Sequence, residues 1–177
     1  MIRTLSALGV VALVISPALA LAAEPKLAEH FQPFAGLVGK TWRGEFKNST
    51  PEKPAYDVVR FELALKGRAI RSRHSVTGGV YGGETLIVWD DQKKSLVSHY
   101  FTTAGFYTEG TFEVRDGKLI SREKVRGSAP GVAEVEAVTT FADGKLHVKS
   151  RYLKDGQWVD GHEITYVEAP DAQVVLD

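Results

Sequence analysis

The chain has 177 residues, 22 basic and 22 acidic, and no cysteine. Balanced charge offers no basic surface to nucleic acid or anionic lipid, so neither is an expected partner. Without thiols there is no disulfide and no lipid-modified cysteine anchor, and the fold must rest on its core.

Residues 1–20 read as a secretory signal peptide. Arg3 supplies the positive end, Leu5 to Ile15 is an apolar run, and Pro17 breaks it. Ala18-Leu19-Ala20 and Ala20-Leu21-Ala22 place cleavage after residue 20 or 22. The run is short for a membrane span and no basic stop signal follows it, so no stable membrane anchor is expected. The reading is an exported protein, in the periplasm or outside a Gram-negative-type bacterium. Residues 24–177 are then one domain of about 155 residues, enough for a sizeable core.

Leu27, Phe31, Phe34 and Leu37 recur at near-helical spacing before Gly39, which predicts a short N-terminal helix. From Trp42 onward, period-two alternation is punctuated by Lys66-Gly67, Gly78-Gly79, Asp116-Gly117, Asp143-Gly144 and Asp155-Gly156. The predicted strands are Thr41–Lys47, Asp57–Leu65, Ala69–Val76, Gly83–Trp89 and Ser95–Phe101, then Phe106–Val114, Lys118–Val125, Ala133–Phe141, Lys145–Leu153 and Gln157–Glu168. Short hairpin connections favour an antiparallel up-and-down β-barrel of about ten strands over a sandwich, since closure removes both sheet edges. The fold class is all-β, with the N-terminal helix closing one end.

The stretches LVGKTWRGEF (Leu37–Phe46), GVYGGETLIVWD (Gly79–Asp90) and HYFTTAGFYTEGTF (His99–Phe112) resemble the calycin group: lipocalins, fatty-acid-binding proteins and the haem-carrying nitrobindins. They are most similar to exported bacterial families with calycin-like barrels. The resemblance implies that Trp42 closes one barrel end, with Gly39 and Gly44 letting backbone and helix approach it.

Alternation sorts each strand into two faces. Val59, Phe61, Leu63 and Leu65 are expected inside, as are Phe106, Thr108, Gly110, Phe112 and Val114. So are Ala133, Val135, Ala137, Thr139 and Phe141, and Leu146, Val148, Ser150 and Tyr152, with Glu134, Glu136, His147, Lys149 and Arg151 outside. Small residues among them (Gly44, Gly110, Ala133, Ala137) suggest spare volume in the lumen.

The candidate ligand-binding residues are His74, His99, Tyr100, Tyr107, Phe112 and His162. His74 alternates with Ile70 and Val76, His99 with Val97 and Phe101, and His162 with Trp158, Ile164 and Tyr166, so all three are expected to point inward. Tyr100 and Tyr107 flank a Thr-Thr-Ala-Gly turn and are expected at the barrel rim. Glu84, with Leu86 and Val88, is a candidate buried or rim carboxylate. No pair has zinc spacing, and the nucleophile elbow, phosphate loop and dinucleotide fingerprint are absent, so neither a metal nor a catalytic residue is assigned.

The function read from the sequence is an exported barrel that binds a small apolar or amphipathic molecule, without catalysis or cofactor. Two alternatives stand beside it. One is a haem protein resembling nitrobindins, with peroxynitrite or nitric-oxide chemistry and His162 as iron ligand. The other is a filled barrel acting as an interaction module. Against haem, Phe46 stands where the resembled pattern has a small residue, and Glu163 alternates to the face opposite His162.

Overall fold

Asp116-Gly117, Asp143-Gly144 and Asp155-Gly156 each hold two consecutive residues at positive φ: 52° and 70°, 52° and 70°, 50° and 78°. That pair is what a two-residue hairpin between right-twisted strands requires. The computed structural model describes residues 26–127 and 131–176. The signal peptide and the two cleavage sites expected from the sequence lie outside the described residues.

The strands are β1 (Thr41–Glu45), β2 (Tyr56–Ala64), β3 (Ala69–Val76), β4 (Tyr81–Asp90), β5 (Ser95–Thr102), β6 (Tyr107–Arg115), β7 (Lys118–Arg126), β8 (Val132–Ala142), β9 (Lys145–Lys154) and β10 (Gln157–Glu168). Each pairs antiparallel with the next, and β10 pairs with β1, which closes a ten-strand barrel with no free edge. The sandwich is thereby excluded.

The N-terminal helix is corrected: Glu29–Phe34 is a 3₁₀ segment. Phe31 N–H donates to Ala28 C=O and Ala35 N–H to Gln32 C=O, three residues back in each case. Pro33 sits inside it and donates nothing. Phe31, Phe34 and Leu37 are spaced by three, and in a 3₁₀ turn residues three apart eclipse each other. All three are buried on one side, as a plug packed on Trp42, Ile70, Ile87, Leu96, Leu119, Leu146, Ile164 and Tyr166.

Trp42 is 0% exposed and meets Phe141 edge to face, with ring centroids 5.8 Å apart. Beside it, a Cβ on Gly44 would collide with Ile164 Cγ2 and stand 3.0 Å from the Tyr166 ring, so only a bare backbone lets these β10 side chains cross over β1. Gly39 serves differently: it turns the chain from plug to β1 at φ +84°, with nothing close to it.

Registers carry the inward faces through the barrel, with four corrections. Leu65 lies in the β2–β3 turn at φ 50°, not on the β2 inner face, and is exposed. Val97, His99 and Phe101 point outward, because Leu96, Ser98 and Tyr100 take the inner face of β5. Glu84 also points outward, paired in register with Arg73. Finally, the β9–β10 register shifts between Asp160 and Glu163. The extra residue at Gly161-His162 puts Trp158 outside, under the Arg151 guanidinium and 42% exposed, while His162 stays inside.

After β10 the chain folds back across the outside of the barrel. Ala169 N–H donates to Thr41 C=O, Val175 N–H donates to Ser75 Oγ, and Val175 and Leu176 lie against Gly79 and Gly82. Ser75 is outward by alternation and buried nonetheless.

Candidate functional site in the polar half of the lumen

Strand direction divides the interior. The plug ends of the strands contribute the apolar cluster. The opposite ends contribute Asp57, His74, Tyr81, Tyr100, Thr108, Glu123, Ser150, Tyr152 and His162. The lumen is therefore amphipathic, apolar under the plug and polar toward the opposite end, the mouth.

Two hydrogen-bonded groups line that polar half. In the first, His74 Nδ1 lies 2.8 Å from Asp57 Oδ1 and His74 Nε2 lies 2.7 Å from the Tyr100 hydroxyl, which is 2.9 Å from the Tyr81 hydroxyl. Tyr166 donates its O–H to Asp57 Oδ2 at 2.9 Å. In the second, His162 Nδ1 lies 2.7 Å from the Tyr152 hydroxyl and 3.1 Å from Ser150 Oγ, and Ser150 donates to His162 C=O at 3.1 Å.

Three glycines make room for these side chains. Gly83 lies against the Tyr100 ring, Gly161 against Ser150 and Tyr152, and Gly110 against Glu123 and Ser98. A Cβ at any of them would occupy space that a polar side chain already fills.

Desolvation dominates the electrostatics. Burial pushes the Tyr100 phenol far above its ordinary value, and its bond to Tyr81 adds to the effect. Tyr81 and Tyr166 are raised chiefly by the same cause, Tyr166 also by the neighbouring Asp57. All three are hydrogen-bonding hydroxyls, not phenolates. Burial also raises Glu123, against the pull of hydrogen bonds from Thr108, 2.5 Å from Oε2, and Ser121. The His162 ring is open to solvent at the mouth on one side and walled by Phe46, Ser150 and Tyr152 elsewhere. Lost hydration draws its pKa below the ordinary histidine value, with a smaller opposing pull from Asp57.

Of the residues expected to bind ligand, His74, Tyr100 and His162 come together in this polar half. Tyr100 lies inside the lumen instead of at its rim, where the β5 register puts it. Phe112 faces inward but packs against Phe34 of the plug, 5.5 Å between ring centroids. His99 and Tyr107 are not part of the site. They stand on the outer surface with Phe101, which stacks on Tyr107 at 6.0 Å and on His99 at 6.5 Å.

Sequence reasoning missed Asp57, Tyr81, Ser98 and Glu123. Glu123 was traceable: Leu119, Ser121, Glu123 and Val125 alternate on one face of β7, and Leu119 belongs to the core. Among the described residues, no group of three or more His, Asp or Glu is arranged to hold a metal ion.

Inward residues at mid-height (Ser72, Thr85, Val135, Ala137, Val148) keep partial solvent access, whereas Ile70, Ile87 and Leu146 near the plug have almost none. On the outside, Lys118, Glu136, His147, Lys149, Arg151 and Asp160 line an open groove of about 470 Å³.

No protein-family model matches the chain, and no curated protein matches it by sequence. The fold is similar to a solved structure, the crystal structure of Rv2717c from M. tuberculosis, with a TM-score of 0.60 and 13% identity over 81% of this chain and 99% of that one. At that identity the likeness shows the fold alone.

Proposed function

We propose that the protein is an exported, calycin-like barrel that binds a small amphipathic molecule in its lumen and has no catalysis of its own. The observation that carries this reading is the division of the lumen. A barrel that only had to be stable would have little use for Asp57, His74, Tyr81, Tyr100 and Glu123 inside, because each must be desolvated and partnered. An amphipathic guest makes sense of both halves, with its apolar part toward the plug and its polar part among the hydroxyls. The partial solvent access at mid-height supports usable space between them.

Haem is the less favoured guest on this reading. Phe46 packs edge-on against the His162 imidazole, 6.4 Å between ring centroids, and Tyr152 and Ser150 hold its Nδ1. Axial ligation through Nε2 would need steric access for the macrocycle beside this ring pair.

The test is displacement of an uncharged naphthylamine dye from the purified protein, with native mass spectrometry of material released gently from the periplasm. Saturable one-to-one dye binding, reversed by an uncharged amphiphile, is the expected result. Absence of saturable binding across a varied apolar library overturns the reading.

A further inference from the structure

Ser98, Gly110 and Glu123 stand side by side across β5, β6 and β7, paired Ser98 to Gly110 and Gly110 to Glu123. Gly110 has no side chain, so its neighbours lean over it: a Cβ there would lie 3.1 Å from Ser98 Oγ and 2.6 Å from Glu123 Cγ. Ser98 is 2% exposed, faces the lumen, and its Oγ has no hydrogen-bond partner. A buried orphan hydroxyl is costly to keep, and natural interiors hold few of them. Around this point the wall is apolar on the plug side (Ile87, Phe112, Ala137) and hydroxylated on the mouth side (Tyr100, Thr108).

We propose that Ser98 and Glu123, on either side of Gly110, form the head-group niche of the lumen. It takes an uncharged ligand whose polar end presents a hydrogen-bond-accepting oxygen, such as a carboxamide or ester, and it rejects anionic head groups. This rests on the lumen-binding reading above and specifies its polar end.

Three facts select that chemistry. The Ser98 hydroxyl has a proton to donate and no acceptor. Glu123 accepts from Thr108 at Oε2, and burial favours its protonated form, which adds a second donor. Third, among the described residues no Lys or Arg points into the lumen between plug and mouth. The ionisable groups facing Glu123 are Tyr81, Tyr100 and Asp57, with His74 beside Asp57 and Tyr152 and His162 beyond. Both histidines are already hydrogen-bonded within the wall, so an anion would be desolvated beside two carboxyl groups with no free cation to receive it.

The test uses three ten-carbon probes that differ only in the head group: decanamide, decanoate and decylammonium. Each competes with the uncharged dye at neutral pH. Decanamide is expected to displace the dye at least about ten-fold more effectively than decanoate, the worth of roughly one net hydrogen bond. Ser98→Ala should weaken decanamide several-fold without lowering the thermal midpoint, because the Ser98 hydroxyl has no bond to lose in the free protein. A role confined to stability would move the midpoint instead. Glu123→Gln keeps a donor and should retain decanamide binding, while Glu123→Leu should lose it. The niche is overturned if decanoate or decylammonium binds best, or if Ser98→Ala leaves all three affinities unchanged; lumen binding itself would survive either result. Failure of all three probes to displace the dye overturns both.

Discussion

Asp57 and His74 are joined inside the barrel, Oδ1 to Nδ1 at 2.8 Å, and through His74 this contact continues to Tyr100 and Tyr81. In the neutral tautomer with Nδ1–H donating to Asp57, the His74 Nε2 lone pair can accept from the Tyr100 hydroxyl, whose oxygen can then accept from Tyr81. Tyr166 completes Asp57 from the other side. The row ends at the Tyr81 hydroxyl.

Tyr166→Phe keeps the ring and deletes one donor to a buried carboxyl group. The expected loss is about 1–3 kcal/mol, the penalty for an unsatisfied buried partner. Urea unfolding measures it, and a loss below about 0.5 kcal/mol would mean that Asp57 Oδ2 finds water instead.

Trp42→Ala should be more severe, about 3–5 kcal/mol, because the indole is fully enclosed by plug and strands. Acrylamide gives a second check. Trp42 emission should be shielded while that of Trp158, 42% exposed on the outer face, is quenched readily. Equal quenching of the two would remove the closure role.

Truncation after Pro170 removes the segment lying on Gly79 and Gly82 and frees the Ser75 hydroxyl. A loss of about 0.5–3 kcal/mol is expected, the ordinary range for a local packing defect. Amide exchange should quicken in β3 and β4 first. Uniform acceleration around the barrel would instead mean that the segment holds the whole fold.

Much of this architecture was legible because its signals are local. The Asp-Gly turns dictate two-residue hairpins, and clean alternation in β8 and β9 separates Val135, Ala137, Ser150 and Tyr152 from the charges between them. Phase failed where that contrast was missing. In β5 the outward set (Val97, His99, Phe101) is more apolar than the inward set (Leu96, Ser98, Tyr100), so hydrophobicity points to the wrong face. In β10 the bulge at Gly161-His162 adds one residue and reverses Trp158, which no period-two reading anticipates. Asp57 and Tyr166 lie 109 residues apart, and only barrel closure brings them together. Glu123 sits in a run of charges, Arg122 to Lys124, that looks like solvated surface.

Burial lifts the folded-state pKa of Glu123 above its ordinary 4.5, so the folded protein holds a proton that the unfolded chain has released. For a raised pKa the associated stability is fully present below the unfolded value and is lost as pH rises through the folded one. Wild type should therefore lose stability relative to Glu123→Gln across that window, by at most about 1.4 kcal/mol per pH unit. Parallel pH profiles for the two proteins would show that Glu123 titrates normally in the fold.

Hemin added to the purified protein should give no sharp Soret band. Iron ligation through His162 would use Nε2, the nitrogen free of partners in the wall, since Nδ1 is held by Tyr152 and Ser150. Burial favours the neutral form of the imidazole, so protonation is not what opposes ligation. Phe46, edge-on against the ring at the mouth, is the proposed obstruction. Phe46→Ala should therefore be the more permissive protein, acquiring a hemin band that Phe46→Ala combined with His162→Ala lacks. A stoichiometric Soret band in wild type that vanishes in His162→Ala would show that Phe46 swings aside, and the mouth would then have to be assigned to haem.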